Sequence, residues 1–131
     1  MRETHLPKPT EAELQLLRVL WEQGPSTVRE IHEAQGEGKE TGYTTTLKIL
    51  QKMAEKGLVK RDEQERSHVY HAAIKAEQTQ RQLVRDLLHK AFGGSPGQLV
   101  VQALSEQQAS PAELAEIRSL LDQMEKKPSK S

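Results

Sequence analysis

The sequence predicts a mainly α fold: three short helices, a two-stranded hairpin, then a second set of helices. Three observations predict it. Thr10-Glu11-Ala12-Glu13, Thr27-Val28-Arg29-Glu30 and Ser110-Pro111-Ala112-Glu113 each place a hydroxyl three residues ahead of a glutamate. At that spacing the two side chains satisfy each other's backbone amides at a helix start. Apolar residues recur at helical steps behind each pattern. Composition agrees, because 34% of the 131 residues are hydrophobic but only 3% are aromatic, which suits aliphatic seams between helices better than a large sandwich core.

The first helix follows Pro9 and Thr10, carries Leu14, Leu16, Leu17, Leu20 and Trp21, and ends at Gly24-Pro25. The second follows Thr27, with Val28, Ile31 and Ala34 on its apolar side; GEGKETG then reads as a loop. The third is expected over residues 43–56, stopped by Gly57, a residue at home in a left-handed helix cap. Leu58-Val59-Lys60-Arg61 and His68-Val69-Tyr70-His71-Ala72 read as two strands around the charged turn over 62–67. An isolated hairpin is marginal in water, so it must lean on the helices. Three helices with such a hairpin make a winged helix-turn-helix.

Residues 75–92 continue as a helix with Leu83, Val84, Leu87 and Leu88, up to Gly93-Gly94. Ser95-Pro96 starts another, because proline suits the first helical position. The last carries Leu114, Ile117, Leu121 and Met124. The expected organisation is a winged helix-turn-helix over 1–74, a helical dimerisation region over 75–125 and a disordered tail over 126–131. About 50 residues in three short helices cannot easily bury enough surface alone. Leu83, Leu87, Leu99, Val100, Leu104, Leu114, Ile117, Leu121 and Met124 are therefore expected to pack against a second copy. Folding back on the first half is the alternative.

The charged fraction is 29% and balances to zero, so the basic pI that often marks a nucleic-acid binder is absent. The total hides a separation. Residues 43–61 hold Lys48, Lys52, Lys56, Lys60 and Arg61 against Glu55, a balance of +4, while residues 11–40 sum to −4. Cysteine is absent, which excludes disulfides and thiolate metal sites. No apolar run approaches the roughly 20 residues of a membrane helix, and MRETHLPKPT has no apolar signal region. A cytoplasmic protein is expected, with no cofactor.

The matching stretches PTEAELQLLRVLWEQGPSTVREIHE, GYTTTLKILQKMAEKGLVKR and HVYHA give the chain its family likeness. It resembles the BlaI/MecI/CopY, or penicillinase repressor, family of winged-helix transcriptional regulators. FGGSPGQLVVQAL and LSEQQASPAELAEIRSLL extend the likeness less specifically. The resemblance implies a homodimer held by its C-terminal helices, binding inverted-repeat operators and repressing nearby genes. In relatives those genes often serve β-lactam resistance, cell-wall response or copper handling. Two departures stand out. The copper-sensing branch carries a C-terminal cysteine cluster that this chain lacks. The β-lactam branch is cut at an Asn-Phe bond, where this chain has Gln102-Ala103, and an inducing protease remains unidentified.

At about 100° per residue, residues 43–56 place Thr44, Thr45, Lys48, Gln51, Lys52 and Glu55 on one side and Ile49, Leu50 and Met53 on the other. The first side is expected to enter a major groove of double-stranded DNA. Threonine offers a hydroxyl and a methyl, glutamine pairs bidentately with adenine, and lysine reaches guanine or phosphate. Tyr43 suits a phosphate or a place in the core, and Leu47 a thymine methyl or the core. Thr27 suits a phosphate at a helix start or a plain cap. Arg29 reaches the DNA backbone or balances nearby glutamates. Arg66 is the best wing contact to DNA, with His68 weaker.

Other functions fit the residues less well. His68 and His71 lie three apart on a strand and so point to opposite faces, and no phosphate loop or nucleophile motif is present. Neither catalytic nor metal-ligating residues are assigned. The alternatives retained are a histidine-based metal-sensing regulator and a winged-helix protein-interaction module without DNA binding.

Overall fold

A computed structural model of the protein describes residues 6–36, 42–63 and 68–126. Much of the expected loop over 36–42 and of the wing turn over 62–67 lies outside the described residues, as does the tail over 127–131. In chain order the elements are α1 (Glu11–Gln23), β1 (Ser26–Thr27), α2 (Val28–Ala34), α3 (Tyr43–Lys56), β2 (Val59–Asp62), β3 (Val69–Ala72), α4 (Ala76–Ala91), α5 (Pro96–Glu106) and α6 (Pro111–Lys126). Mainly helical, with a small antiparallel sheet, this is the winged helix-turn-helix with C-terminal helices that the sequence pattern predicts. Lys126 closes α6 and is not part of a tail.

Local chemistry sets the helix ends. The Glu13 and Glu30 amides donate to the Thr10 and Thr27 hydroxyls, and the two glutamates accept in return from the Thr10 and Thr27 amides. Ser110 and Glu113 make the same reciprocal pair at the start of α6, at 2.9 and 3.1 Å. Ser95 caps α5, with Pro96 in its first turn. Gly57 ends α3 at φ 89°, ψ 13°, and this turn lets the Leu58 amide reach the Met53 carbonyl at 2.9 Å. Leu58 then drops fully into the core. A side chain at position 57 would be held in the left-handed region at a cost of about 1–2 kcal/mol.

The sheet corrects one expectation. It has three strands, ordered β1-β3-β2, rather than two. Ser26 and Thr27 pair antiparallel with Tyr70 and Val69, while Val59 to Asp62 pair with Ala72 to Val69. The extra strand bonds the chain between α1 and α2 directly to the wing.

The first of two compact units, Met1–Val84, holds the core; the second is Arg85–Ser131. Leu16, Leu17 and Leu20 of α1 pack with Ile31 of α2, Leu50 and Met53 of α3, and Leu58, Val59, Tyr70 and Ile74. The division between units falls inside α4, whereas the element order placed it after residue 74. The first turns of α4 stay with the first unit for physical reasons. Trp21 Nε1 donates to the Ile74 carbonyl at 2.9 Å, Gln82 Nε2 donates to the Leu6 carbonyl at 2.8 Å, and Thr79 is buried. Among the described residues, no helix is long and apolar enough to cross a membrane.

One ion pair joins α1 to α3. Glu13 is buried at the first turn of α1, and Lys56 Nζ from the last turn of α3 contacts both its carboxylate oxygens, at 2.8 and 2.9 Å. Burial alone would raise the Glu13 carboxyl. The Lys56 hydrogen bonds, the Thr10 amide and the Lys56 charge outweigh it and hold the carboxyl below its ordinary range. A depressed carboxyl contributes stability in full above its unfolded pKa and loses it as pH falls through the folded value. Glu13→Ala should therefore lower the unfolding free energy by about 2 kcal/mol at pH 7, a cap plus a half-exposed pair. In urea titrations the gap should narrow as pH falls from the ordinary carboxylate range through the lowered folded pKa of Glu13. An equal gap at pH 3 and pH 7 would assign the loss to packing instead.

Candidate nucleic-acid interface

α3 is divided lengthwise. Thr46, Leu50 and Met53 are buried, and Leu47, Ile49 and Ala54 pack half-buried against the core. Thr44, Thr45, Lys48, Gln51, Lys52 and Glu55 are exposed. The polar residues expected on one side thus share it, while Leu47 sits with the core. Among the described residues, no side chain caps the start of α3 at Gly42, unlike the starts of α1 and α2.

Thr46 is the buried residue that sequence reasoning passed over. Its hydroxyl donates to Gln35 Oε1 at 3.2 Å and lies 3.2 Å from His32 Nδ1. With its proton on Gln35, the Thr46 oxygen accepts from His32 in the tautomer that carries the proton on Nδ1. The end of α2 is thereby joined to the first turn of α3. A threonine in a run of three carries no sequence signal for this role, since all three hydroxyls look alike.

Beside this joint lies a second cluster. The Arg29 guanidinium carbon sits 5.9 Å from the Tyr43 ring centroid, within cation–π range. The His32 ring meets Tyr43 edge-on at 6.0 Å. Tyr43 is 44% exposed, so it lies outside the buried core. Arg29 is thus placed beside Tyr43 at the start of α3.

The remaining expected residues are distributed differently. Thr27 is a cap: its hydroxyl accepts from the Glu30 amide at 3.1 Å, and the Thr27 amide donates to the Glu30 carboxylate at 2.9 Å. That carboxylate places negative charge where a phosphate was expected. His68 is exposed just ahead of β3. Arg66 lies outside the described residues. Arg61 pairs with Glu63, which together with Tyr70 raises its pKa further, while the Arg61 guanidinium lowers Glu63. Of the five cations between 43 and 61, Lys56 pairs with Glu13 and Arg61 with Glu63, while Lys48 and Lys52 lie exposed on the outer side of α3. Among the described residues, no group of three or more His, Asp or Glu is placed to hold a metal ion.

Replacing Thr46 by valine keeps its volume but strands the His32 donor and the Gln35 acceptor. It should destabilise the fold by about 1–2 kcal/mol, measured as a lower urea midpoint at unchanged slope. An unchanged midpoint would show that the α2–α3 joint does not depend on this hydroxyl.

Comparison with known proteins agrees with this architecture. The chain matches the family model described as penicillinase repressor over residues 9–123. It is 23% identical to the penicillinase repressor of Staphylococcus aureus over 116 residues, which is 88% of this chain and 92% of that one. A shorter match, 41% identical over 46 residues, relates it to the transcriptional regulator BlaI of Mycobacterium tuberculosis H37Rv; it covers 35% of this chain and 33% of that one. With three helices and a small antiparallel sheet in its first unit and a family match across nearly its whole length, the chain belongs to the penicillinase repressor family of transcriptional repressors.

Proposed function

We propose that the protein is a sequence-specific repressor that binds an inverted-repeat operator as a homodimer, with α3 in the major groove of each half-site. The observation that carries this reading is the lengthwise division of α3. Its inner side is held in the core, and its outer side offers hydroxyl, amide and ammonium groups. Each group has a partner chemistry on DNA: Gln51 reads adenine, Lys48 and Lys52 reach guanine or phosphate, and Thr44 and Thr45 take phosphate oxygens or a thymine methyl. Tyr43, with Arg29 over its ring, offers a hydroxyl beside the uncapped amides of α3, a site suited to a backbone phosphate. His68 and Arg66 would supply contacts from the wing.

The second unit supports the dimer. Neither α5 nor α6 contains a buried residue. Leu87, Val100, Leu104, Leu121 and Met124 are exposed, Met124 by 63%. Leu99, Leu114 and Ile117 are half-buried. Leucine and methionine at such positions are normally covered, and an uncovered stripe of this kind marks an association surface. A second copy of the same helices would cover it by two-fold symmetry. Leu83, also expected in this seam, lines a cleft beside α1 within the first unit.

Two experiments test the reading. Fragments selected from the protein's own genome should show two-fold symmetry, with half-site centres about 34–36 Å apart or a multiple of that. On such a site Lys48→Ala should weaken binding and reduce the slope of log K against log salt by about one. Gln51→Ala should instead relax preference at one base pair by about 1–3 kcal/mol. Binding by both variants that matches wild type across salt concentrations would remove α3 from the interface. Separately, Leu104→Glu combined with Leu121→Glu should convert a dimer to a monomer in light-scattering chromatography without loss of helicity. A wild-type chain that runs as a monomer at micromolar concentration would contradict the dimer.

A further inference from the structure

Within the first unit, α1 and the first turns of α4 leave a cleft of ≈ 360 Å³ between them. Leu14, Trp21, Ala76, Thr79 and Leu83 line it, and Arg18 with its neighbour Glu22 stands at the solvent edge. Two features point to a ligand. Thr79 is only 1% exposed, yet among the described residues its hydroxyl has no hydrogen-bond partner. Leaving such a group unsatisfied costs about 1–3 kcal/mol, which a ligand supplying the partner would recover. A turn about χ1 exchanges hydroxyl and methyl, groups of similar volume, so the oxygen can be offered to the cleft without repacking.

Arg18 is the second feature. Its side chain is 68% exposed and its pair with Glu22 is stretched to 3.9 Å. A loose pair of this i,i+4 kind is worth only about 0.3–0.5 kcal/mol. A planar carboxylate can take the guanidinium bidentately. An apolar wall with a few convergent polar groups is the usual anatomy of a small-molecule site.

We propose that this cleft binds a small carboxylic acid with an apolar body and one further hydrogen-bonding group. The body lies against Leu14, Trp21 and Leu83, the carboxylate on Arg18, and the further group on the Thr79 hydroxyl. The proposal concerns the first unit alone and stands whether or not α3 reads DNA.

Trp21 is the single tryptophan of the chain, so its emission reports occupancy directly. The probes are 3-(4-hydroxyphenyl)propionate, its deoxy analogue 3-phenylpropionate, and 3-(4-hydroxyphenyl)propanamide, titrated at pH 7 into the full chain. The hydroxy acid should change Trp21 emission saturably and bind about fivefold more tightly than the deoxy acid, one hydrogen bond's worth. It should also bind more tightly than the amide. Thr79→Val should bring the hydroxy acid down to the level of the deoxy acid while leaving the deoxy acid unchanged. Arg18→Gln should erase the preference for acid over amide. Ala76→Phe, folded by circular dichroism, should abolish binding of all three by filling the cleft. The proposal is overturned if no probe gives a saturable change up to 10 mM-scale concentrations, roughly the weakest affinity a site this size would show. It is equally overturned if the probes bind Ala76→Phe as well as wild type, or if Thr79→Val weakens the hydroxy and deoxy acids alike.

Discussion

A carboxylate buried in the first turn of a helix needs a cation, and here α3 supplies it. Glu13 caps α1 through Thr10 and simultaneously receives the Lys56 ammonium on both oxygens. Removing Lys56 would be costly, because it leaves the buried Glu13 carboxylate poorly compensated. The pair therefore constrains more than stability. It pins the last turn of α3 to the first turn of α1, and so limits how α3 can rotate about its own axis. With Lys56 turned toward α1, Leu50 and Met53 face the core and Lys48 and Lys52 face away.

The opposite end of α3 is fixed by different chemistry. Thr46 bridges His32 and Gln35 of the preceding helix, and the Arg29 guanidinium over Tyr43 adds a contact one turn earlier. A helix held at both ends presents its middle residues with little freedom, which is what a recognition surface requires of its supporting shell. Basic residues that look alike in composition divide into those spent on internal pairs, Lys56 and Arg61, and those left on the outer side of α3, Lys48 and Lys52. A neutral sum is thus compatible with a locally basic surface.

What was legible in the sequence was local. The capping boxes at Thr10, Thr27 and Ser110 join residues three apart, so their physics is written in adjacent letters. Gly57 announced the end of α3 for the same reason. What was not legible depends on residues far apart in the chain. Ser26 and Thr27 carry no strand signal over two residues; they are a strand because β3 offers them a partner. Lys56 reads as one more lysine of a basic stretch until Glu13, on another helix, claims it. Thr46 is indistinguishable from Thr44 and Thr45 until packing selects it. Leu83 belongs to an apolar stripe that continues past it, yet the Trp21 and Gln82 bonds draw the start of α4 onto the first unit.

The account makes one side of α3 the part of the molecule that other molecules meet. Because the chain has no cysteine, single cysteines can be placed at will. The most direct measurement is the alkylation rate of Lys48→Cys and Lys52→Cys, with Arg118→Cys as a control on α6, in the presence and absence of the selected operator duplex. The account predicts that operator DNA slows alkylation at positions 48 and 52 while leaving position 118 no more protected than by random duplex. Alkylation at 48 and 52 as fast on operator as in free protein, under conditions where the DNA is bound, would contradict it.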